Sequence, residues 1–439
     1  MKIKKLHLSN FRRFTDFTIG FDPQLTVLVA RNGAGKSSVL DAVATAIGPF
    51  LTRLPGVSGI NPKESDFRVL PDGSKPPYMR IACESFEGIC WDRTEKRDQS
   101  KKTAAQIPPG KGQKELNEYV DSLIDAFNES RPFELPVFIY YGTGRAVFDV
   151  PQRKKGFGKD FTRFDALQGA LESRTNFRRF VEYFYYLEDK EILLQKKHRS
   201  FDLPIPELIA IRVAIGRLMP DFSNPRGIRP AGIMLDWRVG HKTKQLRIEQ
   251  LSDGYRTTLA MVMDIAARMA EANPPSDDLL ELLASNYDPL DKSGVVLIDE
   301  IDLHLHPGWQ QRILPDLMKA FPKIQFIVTT HSPQVVTSVP ATSLRVIDWV
   351  DEEPQLLPVD FSLGAEAQQM LIEVLGVSPR PDQLDIVKKL KRYQELVHDN
   401  QWDTENAVKI RAELDQWGAE HEPELLRLDM DIRLKELDR

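Results

Sequence analysis

The sequence predicts an α/β fold: a mixed sheet with flanking helices, a mainly helical insertion and a C-terminal helical tail. Three observations carry that expectation. "LTVLVARNGAGKSSVLDAV" runs an apolar strand through a Gly-rich turn into an apolar-periodic helix. "GVVLIDE" and "IQFIVTTHSP" are short, continuously apolar runs of the kind that form buried parallel strands. After about Leu363 the composition turns charged and helix-periodic.

Taken in order, "KIKKLHLSNFRRF" alternates apolar and polar residues and reads as a strand turning at Ser9-Asn10. "FTIGF" and "LTVLVA" are further strands, and Ser37 to Ile47 a helix that Gly48-Pro49 ends. Gly56 to Pro77 reads as loop, "YMRIACESF" and "GICWDRT" as a strand pair, and Asp98 to Lys114 as a mobile loop. "LPVFIYYG" is a buried strand, and Phe164 to Leu218 is mainly helical. "AGIMLDWRVG" and "KQLRIEQLSDG" return to strands, and "YRTTLAMVMDIAARMAEAN" is a helix ending near Pro274. The hairpin "LRVIDWVDEEPQLLPV" closes the sheet. The expected organisation is a first lobe at 1–145, a helical insertion at 146–240, a second lobe at 241–362 and a partner-docking tail at 363–439.

A chain of 439 residues is too long for one compact core. At 41% hydrophobic and 28% charged it reads as globular rather than disordered. The net charge of -5 argues against a wholly basic nucleic-acid coat but leaves room for a local basic groove. Cys83 and Cys90 lack metal-site spacing and read as reduced thiols of a cytoplasmic protein. The basic N-terminus has no apolar core of a signal peptide, and no apolar run of about 18 residues suggests a membrane span.

The chemistry starts in the loop from Asn32 through Gly33, Ala34, Gly35, Lys36 and Ser37 to Ser38. A strand–loop–helix of this type curls backbone N–H groups round phosphate oxygens; Lys36 would reach the β- and γ-phosphates and Ser37 would place its hydroxyl on Mg²⁺. The phosphate-loop pattern wants Gly first, and this chain has Ala30. Next, "GVVLIDE" delivers two carboxylates to a strand end. Asp299 suits a water-mediated Mg²⁺ contact, and Glu300 suits a general base for the attacking water. In "LSDGYRTTLAM", Ser252 reads as an N-cap and Gly254 as a point of close backbone approach to an anion; an ordinary capped helix is the plainer reading. His331 follows a buried strand, where a surface histidine is the plainer reading. The pair His304 and His306 carries little weight as a metal site.

These four motifs, in this order and spacing, resemble the ATPase head of the ABC superfamily. The resemblance makes Leu251-Ser252-Asp253-Gly254 the signature motif that contacts the γ-phosphate of ATP held by a second copy. It makes Asp302 the residue of the D-loop facing that copy and His331 the switch histidine. The opening "KLHLSNFRRF" resembles RecF-like and AAA-15/21-like ATPases. "SNFRRF", "NGAGKSS", "LPVFIYYGTGR", "LSDGYR", "LIDEIDLHLHPGWQ", "THSPQ" and the tail after "LGVSPRP" together resemble the ATPase subunits of Septu-type and retron-linked antiphage systems.

That resemblance implies ATP and Mg²⁺ as ligands, slow regulatory hydrolysis, and homodimers or higher oligomers. It implies a separate HNH-type nuclease as partner, with a retron reverse transcriptase and its nucleic acid, or DNA directly, as further contacts. The residues after His331 lack the acidic set of a two-metal nuclease, so no nuclease site of its own is expected. A RecF-like ATPase that closes on DNA without a nuclease is the alternative. Among secondary expectations, Arg12 and Arg13 lie near the adenine or phosphates, and Asp66 completes the Mg²⁺ shell unless it is simply a loop acid. Gln24 flanks the nucleotide region and Arg145 an interior edge of the head. Lys154, Lys155, Lys159, Arg163, Lys196, Lys197 and Arg199 line a basic groove unless they form a solvated face.

Overall fold

The structure, a computed structural model, describes residues 1–146, 161–173, 177–201, 203–228, 232–274, 288–419 and 421–437. Its strands are β1 (Ile3–Phe11), β2 (Phe14–Gly20), β3 (Leu25–Val29), β4 (Tyr78–Ser85), β5 (Cys90–Lys96), β6 (Val137–Tyr141), β7 (Phe222–Gly227), β8 (Ile233–Val239), β9 (Lys242–Arg247), β10 (Gly294–Ile298), β11 (Ile324–Thr330), β12 (Leu344–Val350) and β13 (Glu353–Leu357). The first helices are α1 (Lys36–Arg53), α2 (Lys101–Ala105), α3 (Lys114–Asn128), α4 (Arg178–His198), α5 (Pro206–Leu218) and α6 (Asp253–Ala272). Two units separate, Met1–Met370 and Leu371–Arg439.

In the first unit a six-stranded sheet has the order β13-β12-β3-β11-β10-β6. All its neighbours run parallel except the β12–β13 hairpin at the edge. Residues of β3, β6, β10 and β11 are buried throughout, as continuous apolar strands covered on both faces require. The register pairs Ile298 with both Val328 and Tyr141, and Thr330 with Val29. Ala30, Gly142, Asp299 and His331 therefore leave the sheet along one edge. An antiparallel sheet, β2-β1-β4-β5, and a small antiparallel sheet, β7-β8-β9, complete the unit.

Four details differ from the sequence expectation. The first hairpin turns at Arg12-Arg13, not Ser9-Asn10, because β1 continues to Phe11 and pairs it with Phe14. Helix α1 runs through Gly48-Pro49 to Arg53. Pro49 cannot donate to Thr45 O, four residues back. Arg93 supplies the missing donor, its Nη1 lying 3.0 Å from Thr45 O. Gly48 stays glycine because a Cβ there would meet Ile60 O at 2.2 Å. Strand β7 was hidden by Pro225, which sits on the edge of its sheet, where a ladder donor is dispensable. The expected loop after Asp98 also contains the short helix α2.

Of the expected basic groove, only Arg163, Lys196, Lys197 and Arg199 lie among the described residues. Lys154, Lys155 and Lys159 lie outside the described residues. Arg163 turns inward, donating to Ala272 O at 2.7 Å and Phe133 O at 3.0 Å with its guanidinium 3.8 Å from the Phe133 ring. Lys196 and Lys197 are exposed in the last turn of α4, and Arg199 caps it.

The second unit packs helices Asp385–His398, Glu405–Gly418 and Pro423–Leu437 round Leu390, Tyr393, Leu396, Leu414, Leu425 and Leu428. Arg411 ties the second of these helices to Asp429 on the third.

Candidate active site

The phosphate-loop sequence folds as an arch over an aromatic floor. Gly33 and Gly35 have φ of 75° and 105°, conformations that residues with a β-carbon rarely adopt. At Gly35 a Cβ would also lie 2.6 Å from Phe14 Cζ. Ala30 is not among the residues with positive φ, and its side chain is buried. The first position of this loop therefore does not need glycine. Its carbonyl instead accepts from Lys36 Nζ at 2.9 Å.

A cavity of about 310 Å³ is lined by Asn32, Gly33, Gly35, Lys36, Ser37 and Ser38 and, across it, by Arg12, Arg13, Asp299, Glu300 and His331. Lys36 is buried, and its Nζ lies 2.8 Å from His331 Nε2. Burial lowers the Lys36 pKa against the opposing pull of Asp299, Glu300 and Asp302. Burial first, and Lys36 second, lower that of His331. His331 at neutral pH is thus a neutral ring whose Nε2 accepts from the ammonium.

The end of β10 is wired to the end of β11 by two threonines. Thr329 Oγ1 donates to Asp299 Oδ1 at 2.6 Å and accepts from Glu300 N at 2.7 Å. Thr330 Oγ1 donates to Asp302 Oδ1 at 2.6 Å. Asp299 N also donates to Tyr141 O at 2.8 Å. Glu300 has φ of 50°, a strained left-handed conformation for a side-chain-bearing residue. Such strain persists where neighbouring bonds over-determine it, and here the Thr329 contacts do so. Asp302 does not line the cavity; it is held on the adjoining loop by Thr330.

Arg12 and Arg13 take different places. Arg12 donates to Asp41 Oδ2 at 2.6 Å, to Asp66 Oδ1 at 3.0 Å and to Ser38 Oγ at 3.3 Å. Asp66 is buried, with its second oxygen accepting from Lys63 N at 2.8 Å. It lines a neighbouring cavity with Asp41 and Tyr140, not the one holding Ser37 and Asp299. The structure therefore presents Asp66 as the partner of Arg12, the plain loop-acid reading, and does not bring it to Ser37 and Asp299. Gln24 sits at the start of β3, the end away from the loop. The Arg145 side chain lies outside the described residues. Arg13 donates to Gly33 O and lies 3.6 Å from the Trp349 ring.

Ser252 stands at the N-cap of α6, but its hydroxyl makes no cap bond. The capping role expected of that side chain is not filled, and the exposed hydroxyl remains available to a ligand. Gly254 is required by contact: a Cβ would lie 2.5 Å from His304 O. Ser252 and Gly254 line a separate cavity of about 90 Å³ with Tyr255, His304, His306 and Trp309. His306 caps the following turn, accepting from Gly308 N at 3.3 Å.

The donor set at Ser37 and Asp299, a hydroxyl and a carboxylate facing one cavity, suits a hard cation such as Mg²⁺. Sequence reasoning missed Thr329, Thr330, Trp349, Asp41, Tyr140 and Gln310. Gln310 Nε2 donates to Leu305 O at 2.9 Å, and its Oε1 accepts from Ser332 Oγ at 2.7 Å, joining the Asp302 loop to the residue after His331. "TTHSP" carried the threonine signal; nothing in sequence pointed to Trp349, whose role is made by a strand far along the chain.

Comparison with known proteins agrees with this geometry. Two AAA domain family models match, one over residues 5–204 and another, whose description also names the AbiEii toxin of type IV TA systems, over residues 147–337. Retron Ec83 probable ATPase of Escherichia coli is 26% identical, over 98% of this chain and 86% of that protein. Retron Vc95 probable ATPase of Vibrio cholerae is 25% identical over 94% and 86%. Septu protein PtuA of Bacillus mycoides is 26% identical over 75% of this chain and 38% of its own length. The SMC head domain from Thermotoga maritima aligns over 82% of this chain and 100% of that one, at 14% identity and a TM-score of 0.39, a value too low to carry the fold assignment. The assignment rests instead on the strand order and the loop geometry. By motif and sequence the chain is similar to AAA domains and related to the retron probable ATPases and to Septu protein PtuA.

Proposed function

We propose that the chain binds and slowly hydrolyses ATP as the regulatory subunit of a retron- or Septu-type antiphage system. Two copies sandwich two ATP molecules, and the closed state controls a separate HNH-type nuclease, with the tail after Leu363 as its docking element. One observation supports the paired arrangement above others: the phosphate-loop cavity and the Ser252 cavity share no lining residue within one chain. Ser252 is not among the residues lining the Lys36 cavity, which supports a second copy as its donor to the γ-phosphate.

The residues divide the work as follows. Loop amides and Lys36 bind the phosphates, whose oxygens replace Ala30 O as the partner of the ammonium. Ser37 and Asp299 would hold Mg²⁺, which when bound neutralises phosphate charge. Glu300, kept in place by its strained backbone and Thr329, takes a proton from the attacking water. His331, neutral and tied to Lys36, senses the γ-phosphate. Asp302 on its threonine-anchored loop faces the second copy.

Glu300→Gln tests the base assignment. It should retain ATP and accumulate a closed dimer while hydrolysis falls at least about 100-fold. Hydrolysis at the unmodified rate would remove Glu300 from the mechanism.

A further inference from the structure

The phosphate loop is held from outside by a residue of the edge hairpin. Trp349 lies on β12, where it pairs with Pro354 of β13. Its indole Nε1 donates to Ala34 O at 2.9 Å. Its ring packs on Phe14 at 5.6 Å, and Phe14 is the floor beneath Gly35. The Arg13 guanidinium lies 3.6 Å from the same ring and donates to Gly33 O. Two successive carbonyls of the loop are thus held by side chains, one by Trp349 and one by the arginine stacked on it.

The peptide plane turns this into a statement about the inside. The C=O and N–H of one trans peptide point in opposite directions. Ala34 N–H, opposite Gly33 O, is taken by Arg31 O at 3.1 Å. Gly35 N–H is opposite Ala34 O. With that carbonyl fixed on the indole, the Gly35 amide faces away from Trp349, and Gly35 lines the cavity. The positive φ of Gly35 fits such a turned peptide.

We propose that Trp349 is a positioning residue for the nucleotide, orienting the Gly35 amide toward the phosphates through Ala34 O. The inference rests on the loop being an ATP site and adds a residue from outside the phosphate-loop, signature and Asp-Glu motifs. It also commits to ligand chemistry. Gly35 N–H meets phosphates common to ATP and ADP, so Trp349 acts on both nucleotides and not on the γ-phosphate alone.

Trp349→Phe keeps an aromatic ring in contact with Phe14 and Arg13 and removes only the donor. Binding of ATP and of ADP to the full chain should both weaken about 3- to 10-fold, the range of one lost hydrogen bond. The KM for ATP should rise by the same factor while turnover at saturating ATP changes less than about twofold. The nucleotide-free melting temperature should stay within about 2 °C of the unmodified chain. Unchanged affinity for both nucleotides would overturn the proposal. So would a loss of affinity accompanied by a comparable fall in nucleotide-free stability, which would mark Trp349 as ordinary packing. An unmodified chain that binds neither nucleotide would overturn the proposed function instead, which keeps the two failures apart.

Discussion

Lys36 Nζ and His331 Nε2 lie 2.8 Å apart, although each side chain can carry a positive charge. The contact is a hydrogen bond only while His331 is neutral. Burial and Lys36 hold its pKa below the usual value. A histidine whose folded pKa is depressed binds fewer protons folded than unfolded between the two values. Its contribution is intact above the unfolded pKa, about 6.5, and is lost as pH falls toward the folded one. Acidification should therefore loosen the nucleotide-free loop, and His331→Gln should flatten this part of the stability profile. Thermal unfolding at closely spaced pH values between about 5 and 7.5 checks it. A steeper acid loss in the variant would contradict the reading.

Ala30 and Lys36 should behave oppositely on substitution. Ala30 contributes a carbonyl and an ordinary backbone, so Ala30→Gly should alter ATP affinity less than about twofold. Lys36→Ala removes the charged donor and should weaken ATP binding by about 100-fold or more. Titration with a fluorescent nucleotide measures both. A large gain from Ala30→Gly would mean that the loop is strained at its first position after all.

Glu271 near the end of α6 should show a pH effect of opposite sign to that of His331. Its Oε1 accepts from Arg179 Nη2 at 2.6 Å, while buried Oε2 has no hydrogen-bond partner. Burial raises its pKa to about 7 against the opposing effect of Arg179. A carboxyl with a raised folded pKa takes up protons on folding, so stability falls as pH rises through the window from its ordinary value to about 7. Glu271→Gln should remove that fall, and its melting temperature should gain on the unmodified chain between pH 5 and pH 8. A constant difference across that range would contradict titration of Glu271 within it.

Much of this site was legible because its chemistry is local. Phosphate binding needs a strand, a turn and a helix start within one short segment, and "ARNGAGKSS" holds them all. Asp299, Glu300 and His331 were legible for a related reason, since parallel strands bring their ends to one edge. What was hidden depends on distant pairing. Pro49 reads as a helix stop until Arg93, on another element, satisfies Thr45 O. Asp66 reads as a spare carboxylate until the folded hairpin supplies Arg12. Ser252 reads as a cap, and only in the fold is its hydroxyl seen to make no cap bond. Trp349 is 315 positions from Ala34, a separation no local pattern reports.

The central claim is that each ATP is completed by Ser252 of a second copy, and mixing two inactive variants tests it most directly. Lys36→Ala destroys the loop of its own chain but keeps Ser252. Ser252→Arg keeps the loop but blocks the exposed signature position. Each alone should hydrolyse no ATP. An equimolar mixture should regain about a quarter of the unmodified activity, because half the dimers are mixed and each of those holds one complete site. A mixture that stays at background, or a Ser252→Arg protein that hydrolyses ATP normally by itself, would contradict the paired-copy account.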